Sequence, residues 1–368
     1  MDVHRDVREV VERLFHEEHG RALATLIRAV GDFDLAEEAV QDAFVRAMDR
    51  WPADGVPDNP GAWITATARN RAIDRIRRER RLRDKVELIR ALDRLQSLPD
   101  EEEMRVRAWP DERLRLVFTC CHPALARDTQ VALTLRTLGG LTTREIARAF
   151  LTTESTVAQR LVRAKRKIRE AAIPYQVPPP GLLPERLAGV LGVLYLVFNE
   201  GYASTEGPLV RSDLCAEAIR LTRVVVGLLP AEAEAVALLA LMLLHDSRRD
   251  ARVDAQGDLV LMDDQDRSRW NAGEIGEGLA LLDRARQLGP AGPYQVQAGV
   301  AAEHARAPHA EATDWPAVAA LYRSLLAIQP SPVVALNAAV AVAMADGPQA
   351  GLALVDRLAA TGALDRYH

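Results

Sequence analysis

Apolar residues recur every three or four positions through most of this chain, and that spacing predicts helices from end to end. Residues 4–30 carry one such stripe. A second runs from Leu35 to Trp51, with Asp34 expected as its N-cap. The polar residues of this second helix are expected to face outward: Glu37, Glu38, Gln41, Asp42, Arg46 and Asp49. This strip is either simply hydrated or a docking surface for a basic partner.

A third helix is predicted to begin at Asn59, a good N-cap followed by Pro60, within a stretch that runs to Lys85. One side is apolar, and the other carries Trp63, Asn70, Asp74, Arg77, Arg78 and Arg81. Between Arg69 and Lys85 there are nine basic residues and three acidic ones. An indole and an amide among arginines suit a nucleic-acid strand with exposed bases. The alternative is a hydrated basic helix whose tryptophan belongs to the core.

Residues 112–173 predict a helix-turn-helix unit. Helices are expected over residues 112–119, 127–138, 143–150 and from 154 onward, with Thr142 or Thr143 capping the third. The last helix turns Val157, Leu161, Ala164 and Ile168 inward. The alternative is a basic surface helix in an unrelated bundle.

The polar face of that last helix is a candidate DNA reader. Because the helix is about 24 Å long and the major groove about 12 Å wide, only its first turns can lie deep in the groove. We therefore expect base contacts from Ser155, Thr156 and Gln159. Phosphate contacts are expected from Arg163, Lys165, Arg166 and Lys167. The DNA-facing set also includes Arg144, on the preceding helix, and Arg160.

The second half has a different composition. After a proline-rich segment at 173–184, helices are predicted over residues 184–199, 211–228 and 230–247, with a small hairpin at 253–262. The polar segment 263–271 holds three aspartates without calcium-loop spacing, which favours a salt-bridged loop.

From residue 273 onward a short motif repeats. Its copies are Leu282-Asp283-Arg284, Leu321-Tyr322-Arg323 and Val355-Asp356-Arg357, at spacings of 39 and 34 residues. A period near 34 with paired helices is typical of tetratricopeptide (TPR) repeats. The sequence stops at His368 in what this pattern marks as the middle of a repeat, so we expect a truncated or unusually capped array.

The net charge of −5 is unevenly divided. Residues 174–368 hold 15 arginines, no lysine and 23 acidic residues, a net of −8; residues 1–173 hold 32 basic and 29 acidic groups, a net of +3. A nucleic-acid surface therefore belongs to the first half. The sequence shows no phosphate loop, nucleophile elbow or plausible metal triad, so we expect neither an enzyme nor a cofactor or bound metal.

Three cysteines, two of them adjacent, do not form a disulfide framework and fit a reducing compartment. No stretch has about 18 consecutive apolar residues, and the N-terminus is amphipathic rather than a signal peptide. We expect a soluble cytoplasmic protein with no membrane partner.

Two stretches of the first half, DLAEEAVQDAFVRAMDRW (34–51) and NPGAWITATARNRAIDRIRRERR (59–81), resemble region 2 of bacterial RNA polymerase sigma factors of the extracytoplasmic-function (ECF) type. LTTREIARAFLTTESTVAQRLVRAKRKIR (141–169) resembles region 4 of the same family. The second half resembles the C-terminal extension of one subgroup, in LYLVFNEGYASTEG (194–207) and DLVLMDDQDRSRWN (258–271).

These observations predict an all-α protein: two small helical domains that bind polymerase and DNA, the second a helix-turn-helix, followed by a C-terminal helical-repeat domain. The expected boundaries are 1–85 for region 2, 86–111 for a linker, 112–173 for region 4, 174–183 for a proline-rich linker, 184–272 for the helical extension and 273–368 for TPR-like repeats.

The resemblance implies a role for each set of residues. Region 2 would capture the non-template strand of the −10 element through the loop 51–59 and the residues Asn59, Trp63, Arg69, Asn70, Asp74, Arg77 and Arg78. The helix from Glu154 would read the −35 element. Glu38, Gln41 and Asp42 would dock the β′ clamp of core RNA polymerase. Ala158 stands where most relatives carry Lys or Arg, so the preferred −35 sequence stays open.

The linker is expected to thread through channels of the core enzyme, which makes the β subunit a partner as well as β′. Its acidic run at 100–103 suits a channel meant for nucleic acid. Counted from Leu82 to Asp111, the partly helical linker has 30 residues. Fully extended, they reach roughly 100 Å, enough for a spacer of about 17 base pairs, or about 58 Å.

The acidic, repeat-like extension is expected to regulate in cis by contacting regions 2 and 4 or a regulatory protein. The alternative function is a helix-turn-helix regulator that acts on duplex DNA without polymerase. Such a protein would not need the Trp63 and Asn70 face, and it would footprint promoter DNA alone.

Overall fold

The computed structural model describes residues 3–80, 86–98, 111–150, 152–202, 212–254, 256 and 258–361. The chain divides into two compact units, Met1–Val193 and Leu194–His368. Both are helical, which confirms the predicted all-α class. Within the described ranges the β structure is limited to an isolated antiparallel bridge between Val253 and Leu259, where the sequence predicts a hairpin.

The first four helices form what we call the N-terminal helix group: α1 (Val3–Val30), α2 (Phe33–Asp54), α3 (Pro60–Arg80) and α4 (Val86–Gln96). The helices α1, α2 and α3 pack on one another, and α4 packs on α1 and α3. The buried face of α2 consists largely of alanines, which allow neighbouring helices to approach closely.

Of the two helix N-caps predicted in this group, one is correct and one is wrong. Asn59 caps α3 as predicted, because its Oδ1 accepts a hydrogen bond from the backbone N–H of Ala62 at 3.0 Å. The predicted cap of α2 is wrong: Asp32, not Asp34, accepts the N–H groups of Asp34 and Leu35, at 2.8 and 3.0 Å. Asp34 instead lies in the first turn of α2, where its negative charge interacts favourably with the positive end of the helix dipole.

The next four helices form the helix-turn-helix group: α5 (Arg113–Cys120), α6 (Arg127–Thr137), α7 (Thr143–Ala149) and α8 (Glu154–Glu170). A capping box between Thr142 and Glu145 starts α7, and Thr153 caps α8 by accepting the N–H of Thr156 at 3.1 Å. The predicted inward stripe of α8 is buried. The predicted helix-turn-helix is therefore present.

The helix-turn-helix group packs directly on the N-terminal helix group, because α1 contacts α5 and α6. Two glycines permit the approach. A Cβ at Gly20 would lie 3.0 Å from the carbonyl oxygen of Leu138, and one at Gly140, where φ is +73°, would lie 2.8 Å from the ring of Phe15. The proline-rich segment joins this contact, since Tyr175 donates to the carbonyl of Ala24 at 2.9 Å.

The chain then continues through α9 (Leu183–Tyr202), which crosses the division between the two units, and through α10 (Ser212–Leu228), α11 (Ala233–Asp246), α12 (Ala272–Leu288), α13 (Pro293–Arg306), α14 (Trp315–Ile328), α15 (Pro332–Asp346) and α16 (Pro348–Ala359). The apolar helix α11 is buried nearly all round and lies at the centre of the second unit's core. Helices α10 to α16 pack successively on their neighbours, as helical repeats do. The TPR assignment itself stays a prediction, and residues 362–368 lie outside the described range.

Candidate nucleic-acid interface

The outer side of α3 carries most of the residues predicted to contact a single strand. Asn70, Asp74, Arg77 and Arg78 are exposed, while Trp63, Arg69 and Asn59 are partly buried. Asn70, Asp74 and Arg77 line a groove of about 270 Å³ together with Gln96 at the end of α4. The structure therefore brings an amide, a carboxylate and a guanidinium to one open groove.

Trp63 is neither fully in the core nor free in solvent. Its ring packs edge-to-face on Trp51, with centroids 5.3 Å apart and planes at 63°. Trp51 is 2% exposed and belongs to the core. Trp63 is therefore held at the start of α3 by an aromatic neighbour, with part of its ring open to a base.

Arg69 has a structural partner. Its Nη1 donates to the carbonyl of Leu98 at 2.7 Å and so ties α3 to the residues after α4. Arg78 donates from Nε to the carbonyl of Asp74 at 3.3 Å but is still exposed. The predicted basic residues Arg81, Arg83 and Lys85 lie outside the described residues.

The predicted docking strip of α2 is exposed at Glu38, Gln41 and Asp42. Glu38 forms an ion pair with Arg75 of α3, and the strip also includes Val45, which is 61% exposed. The strip is therefore open to solvent at the three positions predicted to dock a partner.

Glu37 corrects the expectation that the whole polar strip faces outward. It is 9% exposed and accepts hydrogen bonds from Arg136 and Lys165 of the helix-turn-helix group. At 100° per residue, Glu37 lies only about 60° from the buried Val40, at the edge of the apolar stripe. Packing of a second helix group covers that edge, which the periodicity of α2 alone does not reveal.

Five α8 residues of the predicted −35 set are exposed. Lys167 lies to one side, and four share the outer face of the helix: Ser155, Gln159, Arg163 and Arg166. At 100° per residue they fall within an arc of about 80°. A face of this width can enter a major groove.

The remaining members of the set flank that arc or belong to α7. Thr156 and Arg160 are partly buried, and Arg160 lies 3.4 Å from Asp128. Arg144 on α7 is exposed and lies 4.0 Å from Glu154. Thr156 also bonds to the capping hydroxyl of Thr153 at 2.8 Å. The cap thus orders the first turn of α8.

Lys165 points away from this arc. Its Nζ donates to Asp34 at 2.7 Å and to Glu37 at 2.8 Å, and its side chain is 14% exposed. Burial alone would raise the pKa of Glu37, but Arg136 and Lys165 hold it below its ordinary value. Burial alone would lower the pKa of Lys165, but Glu37 and Asp34 raise it. Glu37 and Lys165 are therefore both charged at neutral pH. The predicted phosphate contact of Lys165 stays a prediction that requires these bonds to break.

Two further observations bear on the chemistry. Cys120, Cys121 and Cys215 are buried free thiols, and burial raises the pKa of Cys121 to about 11 and of Cys215 to about 12. In the parts of the chain that the structure describes, no three His, Cys, Asp or Glu side chains are placed to share a metal ion. The described helices also include none with the length and apolar character needed to span a bilayer.

Comparison with known families assigns the two helix groups. Residues 14–82 match sigma-70 region 2, and residues 115–168 match sigma-70 region 4. Residues 186–286 match a family of unknown function, DUF6596. The first two ranges correspond to the N-terminal helix group and the helix-turn-helix group.

The relatives extend this result. An uncharacterized protein of Rhizobium meliloti (strain 1021) is 47% identical over 345 residues, which cover 92% of this chain and 80% of that protein. The probable ECF RNA polymerase sigma factor SigI of Mycobacterium tuberculosis (strains CDC 1551 / Oshkosh and ATCC 25618 / H37Rv) is 29% identical over 152 residues, 41% of this chain and 52% of SigI. No solved structure matches the chain.

Proposed function

Because this chain belongs to the ECF-type sigma factors of bacterial RNA polymerase, in a subgroup with a large C-terminal extension, we propose that α3 and α8 divide promoter recognition between an opened strand and an intact duplex. As a sigma factor it binds core RNA polymerase and promoter DNA. The observation that carries the proposal is the pair of exposed polar faces on two separate helix groups.

On α3, the exposed Arg77 and Arg78 would hold phosphates of the non-template strand. Asn70 and the open part of Trp63 would contact unpaired bases of the −10 element. Stacking of one base on an aromatic ring is worth about 1–3 kcal/mol, enough to favour a melted strand over a paired one at that position. Arg69 would mainly position α3, since its guanidinium is bonded to Leu98.

On α8, Gln159 and Ser155 would reach base edges of the −35 element, and Arg163 and Arg166 would hold phosphates on either side. Arg144 and Arg160 would add phosphate contacts from the flanks. The ordered cap at Thr153 supports this proposal, because it fixes the first turn that would enter the groove.

Polymerase would dock on the exposed strip of Glu38, Gln41 and Asp42, with Val45 as an apolar contact. The β′ clamp is the partner that we propose for this strip. Contact between the linker and β rests on the sequence, since residues 99–110 lie outside the described residues.

The contact between the two helix groups would be a closed form of the sigma factor. Lys165 binds Asp34 and Glu37 in this form, immediately beside the docking strip. Promoter elements about 58 Å apart cannot be read by two groups held in direct contact. We therefore propose that binding to polymerase separates the groups, and that the C-terminal extension regulates this step in cis.

The contribution of the extension is tested by truncation. Arg186 of α9 donates to the carbonyl of Phe118 at 2.7 Å, so a cut before α9 would damage the first unit. A chain ending at Val193 keeps that unit whole. Promoter-dependent transcription equal to that of the full chain would remove the proposed regulatory role.

The proposed function is tested by run-off transcription with purified core polymerase on a library of randomised promoters. We expect RNA starts downstream of two sequence blocks about 17 base pairs apart. Transcripts no more abundant than those from core enzyme alone would contradict the proposal. Specific footprinting of the same DNA without polymerase would favour a helix-turn-helix regulator instead.

A further inference from the structure

Three arginines of the second unit lie in one cluster without a carboxylate partner. Arg248 and Arg252 are each 7% exposed, and Arg267 is partly buried. Among the residues that the structure describes, none of the three forms an ion pair. Burial of an unpaired guanidinium is costly, so three together require a compensating negative charge.

Two aromatic residues join the arginines. The guanidinium of Arg252 lies 3.6 Å from the ring centroid of Tyr202, and Arg248 donates to the hydroxyl of Tyr202 at 2.5 Å. Arg248 and Arg267 lie 5.7 and 4.5 Å from the ring centroid of Trp270. The three cations are therefore gathered around the same two aromatic rings.

Backbone carbonyls neutralise only part of this charge. Arg267 donates to the carbonyls of His304 and Ala307 at the end of α13, both at 2.6 Å, and Arg252 donates to the carbonyl of Tyr202 at the end of α9. Each helix C-terminus is equivalent to about −0.5 charge, so two of them leave about +2 of the three positive charges.

The neighbouring histidines add no charge at neutral pH. Burial, and then the nearby arginines, lower the pKa of His245 to about 3 and of His304 to about 4. Two neutral rings thus stand beside the cations, which leaves the arginines as the charged groups of the cluster.

The nearby carboxylates either pair with another arginine or lie too far from the cluster to form an ion pair with it. Asp246 pairs with Arg249 at 2.5 Å, and Glu274 lies 3.9 Å from the same arginine. Asp263 and Glu311 are exposed and act on Arg267 only over a longer range than an ion pair. The positive charge of the cluster is therefore not balanced by these side chains.

Trp270 supplies a second, independent observation. Its indole is 7% exposed, and its Nε1–H is buried with no hydrogen-bond acceptor among the described residues. An indole N–H can only donate. The cluster thus has both surplus positive charge and an unused buried donor.

We propose that Arg248, Arg252, Arg267 and Trp270 form a binding site for a small oxyanion with two or more negative charges. Guanidinium groups match the paired oxygens of phosphate and carboxylate groups, and the indole N–H would donate to a further oxygen. The four residues lie within the range matched to the family of unknown function. The site does not depend on the function proposed for the first unit.

The test is titration of the full chain with sodium pyrophosphate and, separately, with sodium citrate, against sodium chloride at equal ionic strength. The readout is the indole N–H signal of Trp270 in a proton–nitrogen correlation spectrum, assigned with Trp270→Phe. We expect a saturable shift with pyrophosphate or citrate and none with chloride. Tighter binding of one identifies a phosphate or a carboxylate ligand.

The variants decide whether the cluster is responsible. Arg248→Gln should weaken binding at least tenfold. Trp270→Phe should weaken it about threefold or more; because this variant lacks the indole signal, its binding is measured by calorimetry. Arg284→Gln is the matched control, because Arg284 also donates to a carbonyl, that of Pro230, but is exposed; it should bind as the unchanged chain does. If Arg248→Gln fails to fold, Trp270→Phe decides alone. Absence of saturable binding, or full affinity in the folded variants, would overturn the proposal.

Discussion

The two units of this chain use arginine in opposite ways. On α3 and α8, Arg77, Arg78, Arg163 and Arg166 are exposed and hydrated. In the second unit, Arg248 and Arg252 are buried against aromatic rings. An exposed guanidinium serves whatever polyanion approaches, and its contribution falls with salt. A buried one has lost its hydration and is stabilised only by a defined partner.

This difference shows that net charge is a poor guide to a local site. The first half carries +3 and the second −8, which assigns nucleic acid correctly to the first half. The same arithmetic suggests that no anion would bind the second half. The site that we propose runs against that arithmetic, because the acidic residues there are mostly exposed or paired, whereas two arginines are buried and a third is partly buried beside them.

The largest expected effect concerns a buried charge of the first unit. Glu37→Gln leaves Arg136 and Lys165 without their shared carboxylate and should destabilise the closed form by about 1.5–3 kcal/mol. The measurement is the distance between spin labels at Asp49→Cys and Ala171→Cys, both exposed positions. The native thiols are buried and should label slowly.

The matched control is the adjacent Glu38→Gln. Glu38 is exposed, and among the described residues its ion-pair partner is Arg75, in the same N-terminal helix group. It should leave the label distance unchanged. Equal distances in both variants would mean that the Glu37 contact does not hold the two groups together.

The next effect concerns exposed charge. Arg77→Ala with Arg78→Ala should reduce promoter opening by about tenfold or more. For binding to single-stranded DNA, the slope of log K against log salt concentration should become shallower by about 0.7 for each lost phosphate contact. Strand binding is measured as a function of salt. Arg13→Ala, an exposed arginine of α1, is the control and should change neither quantity.

A smaller effect is expected from a variant that changes the order of the backbone at the start of α8 without changing any charge. Thr153→Ala removes the N-cap of α8 and should cost about 1 kcal/mol of stability, with up to about fivefold weaker −35 binding and an unchanged salt slope. Thermal unfolding and duplex binding measure the two parts. A changed salt slope would show that the variant moves the phosphate-binding arginines as well.

The smallest expected effect is the response of the closed form to pH. Glu37 has a pKa held below its ordinary 4.5, so its contribution is present above pH 4.5 and is lost as pH falls through the folded value. Lys165 has a pKa raised above 10.5, so its contribution is present below pH 10.5 and is lost as pH rises through the folded value. The label distance should therefore stay constant between about pH 5 and 10. A transition near neutral pH would assign the contact to other groups.

The sequence predicts the helices well because stripes and caps are local. Asn59, Thr142 and the inward residues of α8 are found where the pattern places them. Even a local prediction is wrong where two candidate N-cap residues lie close together, as Asp32 and Asp34 do at the start of α2. Most exposed residues of α3 and α8 also follow from periodicity alone, although Trp63 and Lys165 are more buried than it predicts.

The contacts between distant segments could not be predicted in this way. Glu37 and Lys165 are 128 positions apart, and each lies at the edge of its own apolar stripe. The arginine cluster joins Tyr202, the end of α11 and the segment before α12. Periodicity describes each helix by itself, so it contains no information on which edges meet.

In the function that we propose, α3 binds an opened strand while α8 reads duplex DNA. It is tested most directly with a fluorescent base analogue in the −10 non-template strand, core polymerase and three sigma proteins. Alongside the unchanged chain, these are Arg77→Ala with Arg78→Ala, and Arg163→Ala with Arg166→Ala. We predict that the α3 variant forms promoter complexes without the fluorescence rise of melting, whereas the α8 variant forms fewer complexes that melt normally. An equal fluorescence rise per complex with the α3 variant, or none with the unchanged chain, would contradict the account.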